Sequence, residues 1–200
     1  MRLRSIGAVL SILAMTGCAS LSKEECLTGD WHGIGYQDGL QGKTEAYLAE
    51  HQQACSEHKV KLNLDQYLTG RTKGLQSYCK PDNGYRVGRN GFVYAYVCPP
   101  DMETAFLATY KKGRDFYLQE QKVRETERKI SQHKREQEKL DQDISKKEKR
   151  LVSDGLSSSE RQRLLQEIRE LEQKKDPSPS YLHRLEYQLG QEKQKLQQLQ

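Results

Sequence analysis

Four short stretches of one pattern constrain this chain more than anything else in it. Tyr36-Gln37-Asp38-Gly39, Tyr67-Leu68-Thr69-Gly70, Tyr85-Arg86-Val87-Gly88 and Tyr110-Lys111-Lys112-Gly113 each put a tyrosine three residues before a glycine. In the last three an arginine follows directly: Arg71, Arg89 and Arg114. Residues three apart share a helix face, and a glycine inside a helix costs up to about 1 kcal/mol against alanine. A chain that repeats this cost needs a compensating contact. A glycine face that admits a second helix backbone, or an aromatic ring, supplies one. Gly35 with Gly39, and Gly70 with Gly74, extend that face at a spacing of four, whereas Gly42 and Gly91 read as turn glycines.

Four cysteines, Cys26, Cys55, Cys79 and Cys98, are threaded between these stretches. Their redox state follows from the N-terminus. Met1-Arg2-Leu3-Arg4 is followed by an apolar run from Ile6 to Met15 and then Thr16-Gly17-Cys18, the layout of an export signal. The run is shorter than the about 20 residues of a spanning helix. Met15-Thr16-Gly17-Cys18 resembles the bacterial lipobox, which implies cleavage after residue 17 and acylation of Cys18 with diacylglycerol and palmitate. Ala19-Ser20, with no aspartate after the cysteine, resembles lipoproteins sorted to the outer membrane. Buried methylenes at about 0.8 kcal/mol each would anchor such a chain firmly.

With Cys18 set aside, an even number of cysteines in an exported chain predicts two disulfides. Sequence permits three pairings, of which Cys26–Cys55 with Cys79–Cys98 is favoured because each then closes a local loop, adding roughly 3 kcal/mol by restricting the unfolded chain. The rival is metal. There is no Cys-x-x-Cys pair and the histidines are scattered, although His51, Cys55 and His58 fall at helical spacing. Structural zinc needs a fuller ligand set, so no metal or cofactor is expected.

Removal of residues 1–17 takes two arginines and leaves 183 residues with a formal charge of +3. No strong basic field remains, and no nucleic-acid partner is expected. Apolar residues make up 34% and charged residues 30% of the chain, which suits a small domain with a long solvated helix better than one large globule. Helical patterns run from Trp31, from Thr44 to about Gln53, and from Asp65 to Tyr78. Pro81 opens a further short helix. Phe92–Val97 has strand composition but no partner strand, which predicts an extended segment lying across the helices.

From Asp101 there is no proline until Pro177. Val123, Ile130, Gln137, Ile144 and Leu151 fall seven apart, a heptad seam of mixed quality. Ser153-Asp154-Gly155 breaks it, and Ser157 with Glu160 caps a new helix. Asp176-Pro177-Ser178-Pro179 interrupts that one, and leucines from Leu182 to Leu199 resume it. The two later pieces match the first helix in length when laid antiparallel; a three-helix bundle is the alternative if the chain reverses at Pro177. The fold expected is therefore mainly α: a signal peptide over 1–17, a stapled helical domain over 18–117, and a long antiparallel coiled-coil hairpin over 118–200.

Gly35-Tyr36-Gln37-Asp38-Gly39, Tyr67 to Arg71, Tyr78 to Tyr85, Gly88-Arg89-Asn90-Gly91 and Tyr110 to Arg114 together resemble an uncharacterised family of small proteobacterial lipoproteins, known as a domain of unknown function. The resemblance covers about residues 24–120 and implies an envelope lipoprotein without implying a mechanism. No Gly-x-Ser-x-Gly, His-Glu-x-x-His or phosphate loop occurs, so an enzyme is not expected. The expectation is a structural or interaction protein at the periplasmic face of the outer membrane, tethered through Cys18, with the helical arm meeting an envelope partner. The alternative is a ligand-binding module using Arg71, Arg89 and Arg114 for an anionic cell-wall fragment; ion pairing with nearby aspartates is the simpler use of those arginines.

Overall fold

The computed structural model describes residues 20–175 and 180–199. The expected signal peptide, Cys18 and the Pro177–Pro179 interruption lie outside the described residues. Among those described there are eight helices and no strand: α1 (Lys23–Thr28), α2 (Trp31–Leu40), α3 (Tyr47–Ser56), α4 (Leu64–Tyr78), α5 (Pro81–Arg89), α6 (Pro100–Leu151), α7 (Ser158–Lys174) and α8 (Ser180–Gln197). They form two compact units. One holds the chain up to Cys79 with Ala95–Met102, and the other holds Lys80–Tyr94 with the chain from Glu103 onward. No helix break falls at 117–118, because α6 runs through it unbroken.

Local chemistry sets the helix starts. Ser22 and Glu25 form a capping box at α1, and Asp30 accepts from the Gly33 N–H at the start of α2 at 2.9 Å. Asn63 caps α4, Pro81 occupies the first turn of α5, and Ser157 with Glu160 caps α7. Intrinsic propensity does not explain α2, which carries glycine at 33, 35 and 39. Its stability comes from packing.

In the first unit α2 and α4 meet backbone to backbone. A Cβ on Gly35 would fall under 3.0 Å from the Tyr67 carbonyl oxygen, and one on Gly39 the same from that of Arg71. In return Gly70 faces the His32 carbonyl and Gly74 that of Tyr36. The second unit repeats the device between α5 and α6: Gly84 faces the Phe106 carbonyl, Gly88 that of Tyr110, and Gly113 that of Tyr85. Thr109 stands where a fourth glycine would be, and its hydroxyl donates to the Pro81 carbonyl at 2.6 Å. The partner of a tyrosine-unit glycine is thus a carbonyl of the opposite helix, not a ring. Rings cover the turn glycines instead, Tyr78 against Gly42 and Tyr117 against Gly91, both at positive φ.

The disulfides are Cys26–Cys55 and Cys79–Cys98. Around the first, Leu21, Trp31 and Tyr67 form a core, with Ile34, Leu48 and Leu68 packed against it. Residues 92–98 form neither helix nor strand: Phe92 and Val93 are exposed, while Tyr94 turns inward against Phe106, with ring centroids 4.7 Å apart.

Within the second unit α7 and α8 return along α6 in antiparallel register. Gln119 donates to the Glu192 carbonyl, Lys134 pairs with Glu186, Asp141 with Lys175, and Lys147 with Glu167. Val123, Thr126, Ile130 and Ile144 of α6 fill the seam, with Ile168 and Leu185 buried on the returning helices. The chain takes the hairpin and not the bundle. At 1.5 Å per residue the 52 residues of α6 extend about 78 Å.

Two predictions follow from this packing. Gly70→Ala and Gly88→Ala should each lower stability by about 2 kcal/mol or more through overpacking. Gly190→Ala, with nothing within 4 Å of its Cβ position, should raise it by about 0.5–1 kcal/mol. Denaturant melts of the three variants test the sign; stabilisation at Gly70 and Gly88 would refute the close-contact account. The second concerns acid. Glu125 is held below its ordinary value by its hydrogen bond from Arg128, Glu160 by Ser157, and Glu167 by Lys147. A depressed carboxylate stabilises the fold above its unfolded value, about 4.3, and that contribution is lost as pH falls through the folded value. Helicity of the arm, followed by circular dichroism, should therefore hold from pH 7 to about 5 and decline below about 4.

Candidate functional site

The glycine crossing of the first unit carries a polar cluster that the sequence does not announce. Asp38 lies on α2, three residues after Gly35, and is buried. Two donors meet on its Oδ2: His51 Nε2 from α3 at 2.7 Å and the Tyr67 hydroxyl from α4 at 2.8 Å. A carboxylate oxygen only accepts, so His51 carries its proton on Nε2. Its Nδ1 is hydrogen-bonded to the Ser20 hydroxyl, 2.9 Å away. His51 and Tyr67 are 2% and 0% exposed. Burial, then the hydrogen bond to Asp38, pushes the Tyr67 phenol far above its ordinary value. Each element is placed by a feature already described: the glycines bring α4 onto α2, and the Cys26–Cys55 disulfide ties down the end of α3 one turn beyond His51.

The cluster floors a cavity of about 630 Å³ walled by α1, α2 and α3. Glu24, Glu25, Asp30 and Asp38 line it, with His51 and the Tyr47 ring. Glu25 is lowered by the backbone and side-chain hydrogen bonds of Ser22. Lys43 lies over the Tyr47 ring, 4.1 Å from its centroid, and is not part of the lining. The order Ser20–His51–Asp38 has the composition of a nucleophile relay. Here the carboxylate sits on Nε2 and the hydroxyl on Nδ1, and Tyr67 donates to the same Oδ2. The arrangement holds the imidazole in a fixed orientation.

The other residues singled out by sequence are placed as follows. The four half-cystines are paired and buried. His58 is half-buried near the end of α3, and no group of three or more potential metal ligands gathers among the described residues. Each arginine is engaged inside its own unit. Arg71 is buried and donates from Nε and Nη2 to the Lys43 carbonyl, at 3.2 and 2.8 Å. Arg89 forks onto Glu120 at 2.9 and 3.4 Å and stacks over Phe116. Arg114 donates to the Gly91 carbonyl at 2.6 Å and lies over the Tyr117 ring. Tyr110 does for the second unit what Arg71 does for the first: its hydroxyl donates to the Phe92 carbonyl, one residue past the turn glycine, as Lys43 is one past Gly42. A neutral phenol thus makes the corresponding bond in the second unit, while Arg71 also reaches Glu45 from Nη1 at 3.5 Å.

Sequence reading missed Asp38 and Tyr67 as a pair because each was absorbed into its own tyrosine–glycine stretch. His51 gave a signal, its helical spacing to Cys55, but that spacing pointed towards metal. No curated protein and no solved structure matches the chain. Residues 30–115, which hold Asp38, His51, Tyr67 and both glycine crossings, match the family described as a protein of unknown function (DUF2799).

Proposed function

We propose that this is an envelope lipoprotein, tethered through acylated Cys18 to the periplasmic face of the outer membrane, that acts as a structural or protein-interaction module and not as an enzyme. The observation that carries the interaction reading is the hairpin of α6 with α7 and α8. Its seam is filled by its own side chains, yet Leu118, Leu165 and Tyr187 stand on it 45%, 40% and 68% exposed. Apolar anchors on the outside of a helix are the means by which a helix recognises a groove or another helix. The anchor reading rests on Met15-Thr16-Gly17-Cys18 behind a charged, apolar N-terminus. The two disulfides fit an oxidising compartment. An anionic ligand held by Arg71, Arg89 and Arg114 is less favoured, because each guanidinium would first have to leave the partners named above.

Two measurements test this. Cells fed an alkyne fatty acid should label the wild-type chain in the outer-membrane fraction, and Cys18→Ser should lose both label and fractionation. A photo-crosslinking residue at 165 or 187 should give a discrete adduct with an envelope protein in intact cells, absent when the residue is placed at exposed Lys73. Labelled protein without an arm-specific adduct would remove the interaction reading and leave the anchor; an unlabelled, soluble wild type would remove the anchor.

A further inference from the structure

The two glycine crossings provide an internal comparison. Asp38 follows Gly35 by three residues, as Val87 follows Gly84. His51 precedes the half-cystine Cys55 by four, as Tyr94 precedes Cys98. The Tyr67 carbonyl faces Gly35, as the Phe106 carbonyl faces Gly84. Val87, Tyr94 and Phe106 are as buried as their counterparts. The same crossing is thus built once around a carboxylate, an imidazole and a phenol, and once around a largely apolar set. Burying a charge where a well-packed apolar group would serve brings no stability. The crossing does not need the polar set, and the polar set is the one that opens onto a cavity.

We propose that this cavity is a binding site for a primary ammonium group, with Asp38 as its counter-charge and His51 and Tyr67 fixing the carboxylate. The lining decides the sign of the ligand. Four carboxylates, Glu24, Glu25, Asp30 and Asp38, face the space, no lysine or arginine lines it, and the one histidine there, His51, is already hydrogen-bonded to Asp38. An anion would meet uncompensated repulsion, whereas an ammonium gains charge-assisted hydrogen bonds. The Tyr47 ring adds a cation-attracting face, as Lys43 already demonstrates on it. A volume of about 630 Å³ admits a small amine or a phospholipid headgroup, not a polymer. An ethanolamine headgroup and a free amine present the same group, and the site reads that group. The proposal is independent of the acylation of Cys18.

The test uses protein carrying Cys18→Ser, so that no anchor contributes. Ethanolamine and putrescine are titrated, with sodium acetate as the matched-salt control, and read by thermal melting and by the His51 ring resonances in NMR. The amines should raise the melting temperature and move the His51 signals, while acetate does neither. Asp38→Asn should weaken the response at least tenfold. Glu24→Gln, an exposed rim change that leaves the fold alone, should weaken it severalfold. The decisive variant is Asp38→Val with His51→Tyr and Tyr67→Phe, which gives the first crossing the residues of the second. It should fold, keep its melting temperature within a few degrees, and lose the response of the melting temperature to amines. Co-sedimentation with phosphatidylglycerol vesicles with and without phosphatidylethanolamine then separates the sources: dependence on the ethanolamine lipid names the headgroup, and its absence beside binding of free amine names a soluble ligand. Equal responses to amine and acetate, undiminished binding in Glu24→Gln and Asp38→Asn, or unfolding of the triple variant would each overturn the proposal.

Discussion

Close approach of two helix backbones is the constraint on which the rest of this structure depends. Glycine is costly in α2, α4, α5 and α6 taken singly. It becomes favourable when the opposite carbonyl occupies the space a Cβ would take, because dispersion and weak Cα–H···O contacts then run the length of the crossing. The consequences spread outward from that line. The tyrosines three residues before the glycines, and the residues after them, are held in fixed relation to the partner helix. The turns at Gly42 and Gly91 are covered by rings from one turn further along it. The disulfides fasten chain on either side of a geometry that glycine has already set.

Because the device occurs twice, the differences between the two copies carry information. Arg71 and Tyr110 are chemically unlike but make corresponding bonds, to the Lys43 and Phe92 carbonyls, so the bond itself does not require a charge. Asp38, His51 and Tyr67 against Val87, Tyr94 and Phe106 is the opposite case. There the position is shared, and what changes is the presence of ionisable groups beside an open cavity. One half builds the crossing around largely apolar side chains, and the other around ionisable ones.

Much of this was legible in the chain because its causes are local. Export logic and loop length pointed to Cys26–Cys55 and Cys79–Cys98. Ser157 with Glu160, and the sevenfold spacing from Val123 to Ile144, marked a cap and a seam that depend on neighbours a turn or two away. The cost of repeated glycine pointed to close packing, but not to what would fill the gap. That the filler is a carbonyl, with rings reserved for Gly42 and Gly91, depends on the offset between two helices, which no single helix records. The polar cluster was illegible for the same reason. Its three members come from three helices and share no spacing. His51 alone lay at a readable distance from a cysteine, and in that setting a histidine suggests a metal before it suggests a carboxylate two helices away.

Helix α6 carries one further implication. Its residues from Arg114 to Leu151 are continuous helix, about 57 Å without a proline, a glycine or a turn to absorb bending. One end is locked by direct backbone contact with α5, where a sideways slip of even a fraction of an ångström would meet a carbonyl. The other end is gripped only by a thin seam of aliphatic side chains and ion pairs. Mechanical load applied near Leu151 would therefore pass along a stiff rod to a rigid clamp at Gly113, and the first part to yield would be the zipper between the rod and its returning helices.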